Sequence, residues 1–498
     1  PATIAQAERI ALNSNPASPE ATPRLARIIP RDSHPISRSR ISPDALRVLY
    51  RLREAGFQAF LVGGCVRDLM LGIEPKDFDV ATDALPEQVK KLFRNCRLVG
   101  RRFRLAHVFF GREIIEVATF RASSAPSQAE DPVGMIDESI DEAIGEPIGD
   151  VELGDAASDT VGAHDIHDFD ENLERVVDDS GRILRDNVYG NIDDDVWRRD
   201  FTCNALYYNI ADFSVWDYCG GFEDVQARRL RLIGDPETRY REDPVRMLRA
   251  ARFEAKLNFE IESATAEPIG QLAELLAGVP AARLFDETLK LFLTGHGARS
   301  LETLRHRGLL KVLLPNVGDF IERYPESPPA RMLMQALANT DARVQADKPV
   351  TPGFLFAVLL YGSIGLEIEK APREQWHDIA TILDAVDRAV MVIHRRVAVH
   401  RRFILGLRDM FALQPRLESP RGRRALRTME HPRFRAAFDL LQLRSQFGMA
   451  DAAIVEWWSR MQLANPEQRA AMAESLGRAS GSGPARSGTS RSRGGRRR

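Results

Sequence analysis

The chain has 498 residues, of which 44% are hydrophobic, and it sets 69 Lys and Arg against 71 Asp and Glu. That length exceeds one ordinary core and predicts about three to four modules with tails. No run of ~18 apolar residues occurs, which excludes a transmembrane helix, and the Pro/Ala/Ser-rich start up to Pro30 lacks the layout of an export signal.

The near balance of charge conceals a segregation. Residues 123–180 hold 18 acidic side chains and one Arg, so the remainder carries 68 basic and 53 acidic groups, a net of +15. Residues 478–498 contribute seven Arg and no acid. A polyanionic partner suits everything outside the acidic segment. Cys65, Cys96, Cys203 and Cys219 form no CxxC pair, which argues against a disulfide framework or structural zinc and for a reducing cytoplasm.

In chain order, residues 1–35 offer little to bury and are expected to be disordered. A helix is predicted over 43–55, with Leu46, Leu49 and Leu52 on one face and Gly56 as its stop. A short strand at 60–63, a helix at 66–71 closed by Gly72, a strand at 78–80, a proline-started helix at 86–93 and strands at 106–110 and 114–120 complete a small mixed α/β unit. The acidic segment 123–180 reads as a solvated loop. Strands are expected at 205–210 and 230–233. After Asp243, an N-cap with Pro244 as the first helical residue, the pattern is nearly all helical, with Phe285, Leu289 and Phe292 marking one face. Beyond 476 the chain is Gly/Ser/Arg low complexity.

The chemistry is concentrated in Leu61-Val62-Gly63-Gly64-Cys65-Val66-Arg67-Asp68 and Lys76-Asp77-Phe78-Asp79-Val80. Adjacent Gly63 and Gly64 let a backbone turn approach a triphosphate with its N–H groups free to bond, and Arg67 can set a charge on phosphate oxygens. Asp77 and Asp79, two apart on a strand, point to one face at a spacing of ~6.5–7 Å and can converge on Mg²⁺. Glu116, polar within an apolar strand, suits a third carboxylate. A lone DxD is usually a solvated turn, and Glu116 alone would pass for a sheet-edge acid; the Gly-Gly and DxD elements joined by a short helix raise the functional reading. Downstream, Arg198-Arg199-Asp200 fits phosphate binding or a helix-end ion pair. Asp243, Arg246 and Arg249 share a helix face that can hydrogen-bond a base edge or merely be solvated.

Together these motifs, spread over roughly residues 35–300, resemble the class II nucleotidyltransferases, the family of bacterial poly(A) polymerases and CCA-adding enzymes. The resemblance implies an α+β multidomain fold: a small mixed α/β head (36–235, with the insert 123–180), a helical neck (236–310), a helical RNA-binding body and tail (311–475) and an Arg-rich end (476–498). It implies that Asp77 and Asp79 bind Mg²⁺ and that Asp200 counts with the catalytic carboxylates, to which the strand reading adds Glu116. Gly63, Gly64, Arg67, Arg199, Asp243, Arg246 and Arg249 would then hold ATP. Residues 100–108, 240–250 and 430–437 resemble the poly(A) polymerase branch, which implies template-independent addition of AMP to RNA 3′ ends, promoting RNA decay. The acidic insert departs from the expected length, and its His164, Asp165, His167, Asp168 and Asp170 are metal-like in type only.

Basic clusters at Arg395-Arg396, Arg401-Arg402 and Arg421, Arg423, Arg424 and Arg427 fit backbone-directed RNA binding, though any one could be a solvated face. The Arg-rich tail could bind RNA or dock RNA-decay proteins. A cytoplasmic monomer is expected. A CCA-adding enzyme shares the same site chemistry, a non-catalytic RNA-binding scaffold would have lost the Asp77/Asp79 pair first, and the dyad His377-Asp378 has no evident partners for a phosphohydrolase.

Overall fold

The computed structural model describes residues 25–100, 104–122, 176–177, 183–185 and 189–479. The chain divides after Asp235 into two compact units.

The first unit is built on one eight-stranded mixed sheet. Its strands are β1 (Arg27–Ile29), β2 (Ala59–Val62), β3 (Asp79–Thr82), β4 (Cys96–Val99), β5 (Leu105–Phe110), β6 (Glu113–Thr119), β7 (Leu206–Asn209) and β8 (Val215–Asp217), in the order β1-β8-β7-β2-β3-β6-β5-β4. β3 and β6 run parallel, and the other six neighbouring pairs are antiparallel. Helix α1 (Pro43–Glu54) is capped by the Ser42 hydroxyl, which accepts the Asp44 and Ala45 N–H groups, and Pro43 opens it. Its buried face is Ala45, Val48, Leu49 and Leu52, not the predicted Leu46–Leu49–Leu52 line, because a true 3.6-residue stripe drifts off a three-residue repeat.

Alternation along the strands sorts the side chains into two faces. Phe60, Val62, Ala81, Phe120 and Tyr207 share one cluster with Ile192 and Val196 of helix α4 (Ile192–Arg198). Helices α2 (Gly64–Met70), α3 (Pro86–Leu92) and α5 (Gly221–Gln226) complete the unit.

Several expectations change. Residues 25–35 belong to the fold: β1 pairs with β8, and Ile29 and Ile36 are buried, so the expected disorder of 1–35 fails where described. Strand β3 starts at Asp79, leaving Asp77 just before it. Strands β1, β4 and β8 carry no clear alternation and were not foreseen. The acidic insert lies outside the described residues apart from a two-residue strand, Val176–Val177, paired with Ile183–Arg185, and the metal-like residues 164–170 lie outside them too. The four cysteines are free; burial pushes the thiols of Cys65 and Cys203 up to about 12, which leaves both inert.

The second unit is almost wholly helical. It begins with α6 (Pro236–Glu242), α7 (Val245–Leu257), α8 (Ser263–Leu272) and α9 (Ala281–Phe292) and continues through further helices to Pro466–Ala479. Phe285, Leu289 and Phe292 of α9 are all buried, and Phe285 stacks on Phe356 with ring centroids 6.1 Å apart. Among the described residues no helix is long and apolar enough to cross a membrane.

Candidate active site

Strand β2 ends at Val62, and the chain turns through Gly63 into α2. Gly63 has φ +79° and ψ −137°, a conformation that side chains other than hydrogen rarely accept. A Cβ placed there would lie 3.7 Å from both Asp79 Oδ2 and a terminal nitrogen of Arg199, so the glycine lies against both groups. Gly64 has ordinary helical backbone, and its Cβ would meet an Arg67 terminal nitrogen at 3.4 Å. We therefore expect Gly63→Ala to lower RNA extension by at least ~10-fold and melting by a few degrees through backbone strain of ~1–3 kcal/mol. Gly64→Ala should leave melting nearly unchanged and act on the KM for ATP. Steady-state kinetics and thermal unfolding separate the two variants; equal losses of melting temperature would defeat the contrast.

Asp79 stands at the start of β3. In antiparallel register it faces Val62, and in parallel register it faces Glu116 of β6. The sheet thus brings two carboxylates from sequence-distant strands side by side, with Asp77 two residues before. Burial first, then the charges of Glu116 and Asp77, push the Asp79 carboxyl up to about 7 against the opposing pull of Arg199. Glu116 is also opposite His107 on β5, with Nε2 3.4 Å from Oε1, an ion-pair distance without hydrogen-bond geometry.

The other predicted residues divide into two networks. Arg67 is 2% exposed. Its Nε and Nη2 donate to Asp68 Oδ1 at 2.9 and 2.7 Å, and its Nη1 donates to Asn204 Oδ1 at 2.5 Å. Asp200 belongs to this side: Oδ1 accepts the Phe201 N–H at 2.8 Å and Asn204 Nδ2 at 3.4 Å. The turn carrying Asn204 is anchored by Thr202, whose hydroxyl donates to the buried Asp224 carboxylate at 2.7 Å. Arg199, at the end of α4, donates through Nε to the Tyr207 hydroxyl at 2.9 Å and through Nη2 to Asp195 at 3.0 Å. Burial pulls its pKa down, but Tyr207 and Asp195 more than compensate and raise it overall.

In the second unit Asp243 precedes α7 and accepts the Val245 N–H at 3.2 Å, while Arg283 of α9 donates to both of its oxygens at 2.8 and 2.7 Å. Arg246 donates to the Arg239 carbonyl and to Glu242. Arg249 lies 3.9 Å from the buried Glu287 carboxylate, which Arg252 also approaches to 3.4 Å. Arg395, Arg401, Arg402, Arg421, Arg423, Arg424 and Arg427 are exposed, as are His377 and Asp378.

Three family models match the chain: the poly(A) polymerase head domain over residues 59–231, the probable RNA- and SrmB-binding site of polymerase A over 258–321, and the polymerase A arginine-rich C-terminus over 374–498. Poly(A) polymerase I of Salmonella typhi is 44% identical over 456 residues, which is 90% of this chain and 88% of that protein. The chain belongs to the poly(A) polymerase I family. It is therefore a polynucleotide adenylyltransferase with a role in RNA polyadenylation, and the catalytically dead scaffold is set aside. Poly(A) polymerase I of Haemophilus influenzae is 42% identical over 87% of each chain. A CCA-adding enzyme of Lactobacillus helveticus is 31% identical, but over only 52% of each chain, so the poly(A) polymerase branch is the better match. A solved tRNA-processing enzyme in its apo form I has a TM-score of 0.52 at 18% identity, covering 89% of this chain and 99% of that one. It supports the fold alone: a mixed-sheet head followed by a largely helical region.

Asn204, Asp195 and Tyr207 were not foreseen. Asp195 is four residues before Arg199 on a helix, a spacing that signals a pair; Asn204 and Tyr207 leave no such local trace.

Proposed function

We propose that this poly(A) polymerase family member adds AMP from ATP to RNA 3′ ends without a template, Asp77 and Asp79 holding Mg²⁺ beside Glu116. The observation that carries the reading is the register of Asp79 with Glu116 beside Gly63 and Arg199. Among the described residues no three His, Cys, Asp or Glu side chains form a metal cage by themselves. Mg²⁺ takes one or two carboxylates and completes its octahedron with water and substrate phosphates, and acid donors of this type fit it. The carboxyl raised to about 7 is likewise a donor set short of positive charge. Bound Mg²⁺ would lower the pKa of the attacking 3′-hydroxyl and offset charge on the departing pyrophosphate.

The chain's own residues do the positioning. Gly63 and Gly64 leave room for phosphates at the start of α2. Arg199 supplies a charge fixed on two sides. Arg67 supports the same turn from beneath, through Asp68 and Asn204, with Asp200 orienting Asn204. Asp243, Arg246 and Arg249 are the proposed base-reading group. The exposed arginines of the second unit and the tail are proposed to hold the RNA backbone. Promotion of RNA decay, and docking of decay proteins on the tail, belong to the same proposal.

Purified protein, labelled RNA of mixed sequence and Mg²⁺ with each NTP separately would test this. Long ladders with ATP alone are expected. Short C-then-A addition confined to tRNA ends would instead mean CCA synthesis.

A further inference from the structure

The Arg199 guanidinium lies in a closed triangle. Nε donates to the Tyr207 hydroxyl at 2.9 Å, Nη2 donates to Asp195 Oδ2 at 3.0 Å, and the Tyr207 hydroxyl donates to that same Oδ2 at 2.7 Å. The guanidinium also lies over the Tyr207 ring, 5.2 Å from its centroid. The third nitrogen, Nη1, is on the side of Gly63: a Cβ there would lie 3.7 Å from it. A planar fork held at two corners has no rotational freedom left for the third.

Each partner is itself immobile. Tyr207 is fully buried on β7, in the cluster that includes Phe60 and Val62, and Asp195 is on α4, whose Ile192 and Val196 pack into that cluster. The Asn191–Asp194 capping box fixes the start of α4. The need for such an anchor is electrostatic. Arg121 at the end of β6 is pulled down by burial and by the like charges of Arg198 and Arg199, with Asp195 opposing them. Asp195 therefore offsets part of the like-charge repulsion among these cations.

We propose that Tyr207 and Asp195 are positioning residues for ATP, presetting Arg199 so that its third nitrogen meets the triphosphate at the Gly63 turn. Neither touches substrate; both act through Arg199. The inference rests on the reading above that Arg199 holds the triphosphate.

Tyr207→Phe removes one oxygen and keeps the ring. Loss of one hydrogen bond to a charged group corresponds to about a tenfold change. We expect the KM for ATP to rise about tenfold, with kcat and the KM for RNA little changed and the melting temperature lowered by a few degrees. Asp195→Asn should do the same and carries the test if the tyrosine variant fails to fold. Arg199→Lys is the control. If it raises the KM for ATP while Tyr207→Phe and Asp195→Asn leave it unaltered, the positioning role is overturned and the assignment of Arg199 stands. If Arg199→Lys leaves the KM for ATP unaltered, both fall. A parallel fall in kcat and melting temperature at constant KM would also overturn the proposal, since that is what a packing role alone predicts.

Discussion

Asp79→Asn should abolish RNA extension, with a loss of at least ~1000-fold, while the protein itself becomes harder to melt. The two halves of this expectation have one cause. Burial and the neighbouring carboxylates Glu116 and Asp77 raise the Asp79 carboxyl to about 7 in the folded chain, whereas an unfolded aspartate titrates near ~4. Between those values the folded protein keeps a proton that the unfolded chain releases. Metal-free stability therefore falls as pH rises from about 4 to about 7, and stays level above. Asparagine is the neutral isostere and never incurs that loss. At pH 7.5 without Mg²⁺ the variant should melt a few degrees above the parent, and the difference should vanish near pH 4.5, where Asp79 is protonated anyway. Adding Mg²⁺ should raise the melting temperature of the parent and not of the variant. Calorimetry across pH with and without Mg²⁺ reads all of this independently of activity. A variant that still extends RNA, or an equal Mg²⁺ response in both proteins, would remove Asp79 from the metal site. Asp77 is exposed and outside the strand, and its charge is the smallest of the causes acting on Asp79, so Asp77→Asn should lose extension with a much smaller gain in stability.

Replacing Arg283 by Ala should relax nucleotide choice. Asp243, Arg246 and Arg249 are the proposed base-reading group, yet both oxygens of Asp243 are occupied by the Arg283 fork. Arg283 thereby fixes the carboxylate's orientation and leaves it fewer free lone pairs for a base. Its side chain is 21% exposed and that of Asp243 17%, so the pair is largely withdrawn from water. Removal would leave a half-hidden carboxylate unpaired, at a cost of ~1–3 kcal/mol in stability. The ratio of kcat/KM for ATP over CTP should fall about tenfold, the magnitude of one charge-assisted contact. Arg283→Lys should recover much of the stability but little of the selectivity, because an ammonium cannot form two parallel bonds. An unchanged ATP/CTP ratio in Arg283→Ala would show that the clamp only stabilises the second unit.

The residues with the strongest motifs were legible because their signals are local. Gly63-Gly64 and Asp77-x-Asp79 each fall within two or three consecutive positions. Glu116 stands out as a charge in an apolar run, and the Pro43 and Pro86 helix starts follow from caps and periodicity. Those features depend on neighbours along the chain, and local backbone geometry is set by neighbours. What faces Asp79 is a different matter. Strand β6 could have paired elsewhere, and only the order β2-β3-β6 and its register set Glu116 beside Asp79. The same holds for Arg67, whose partner Asn204 is 137 positions away along the chain. β1 was missed because three residues carry no periodicity; its place comes from the free edge of β8. Tyr207 and Asp195 are an ordinary core aromatic and an ordinary helix acid until α4 packs against β7. The sequence by itself determined the family motifs and the candidate side chains they offer. Tertiary pairing decided which of them meet, because long-range register is set by the burial of whole faces and not by any one residue's neighbours.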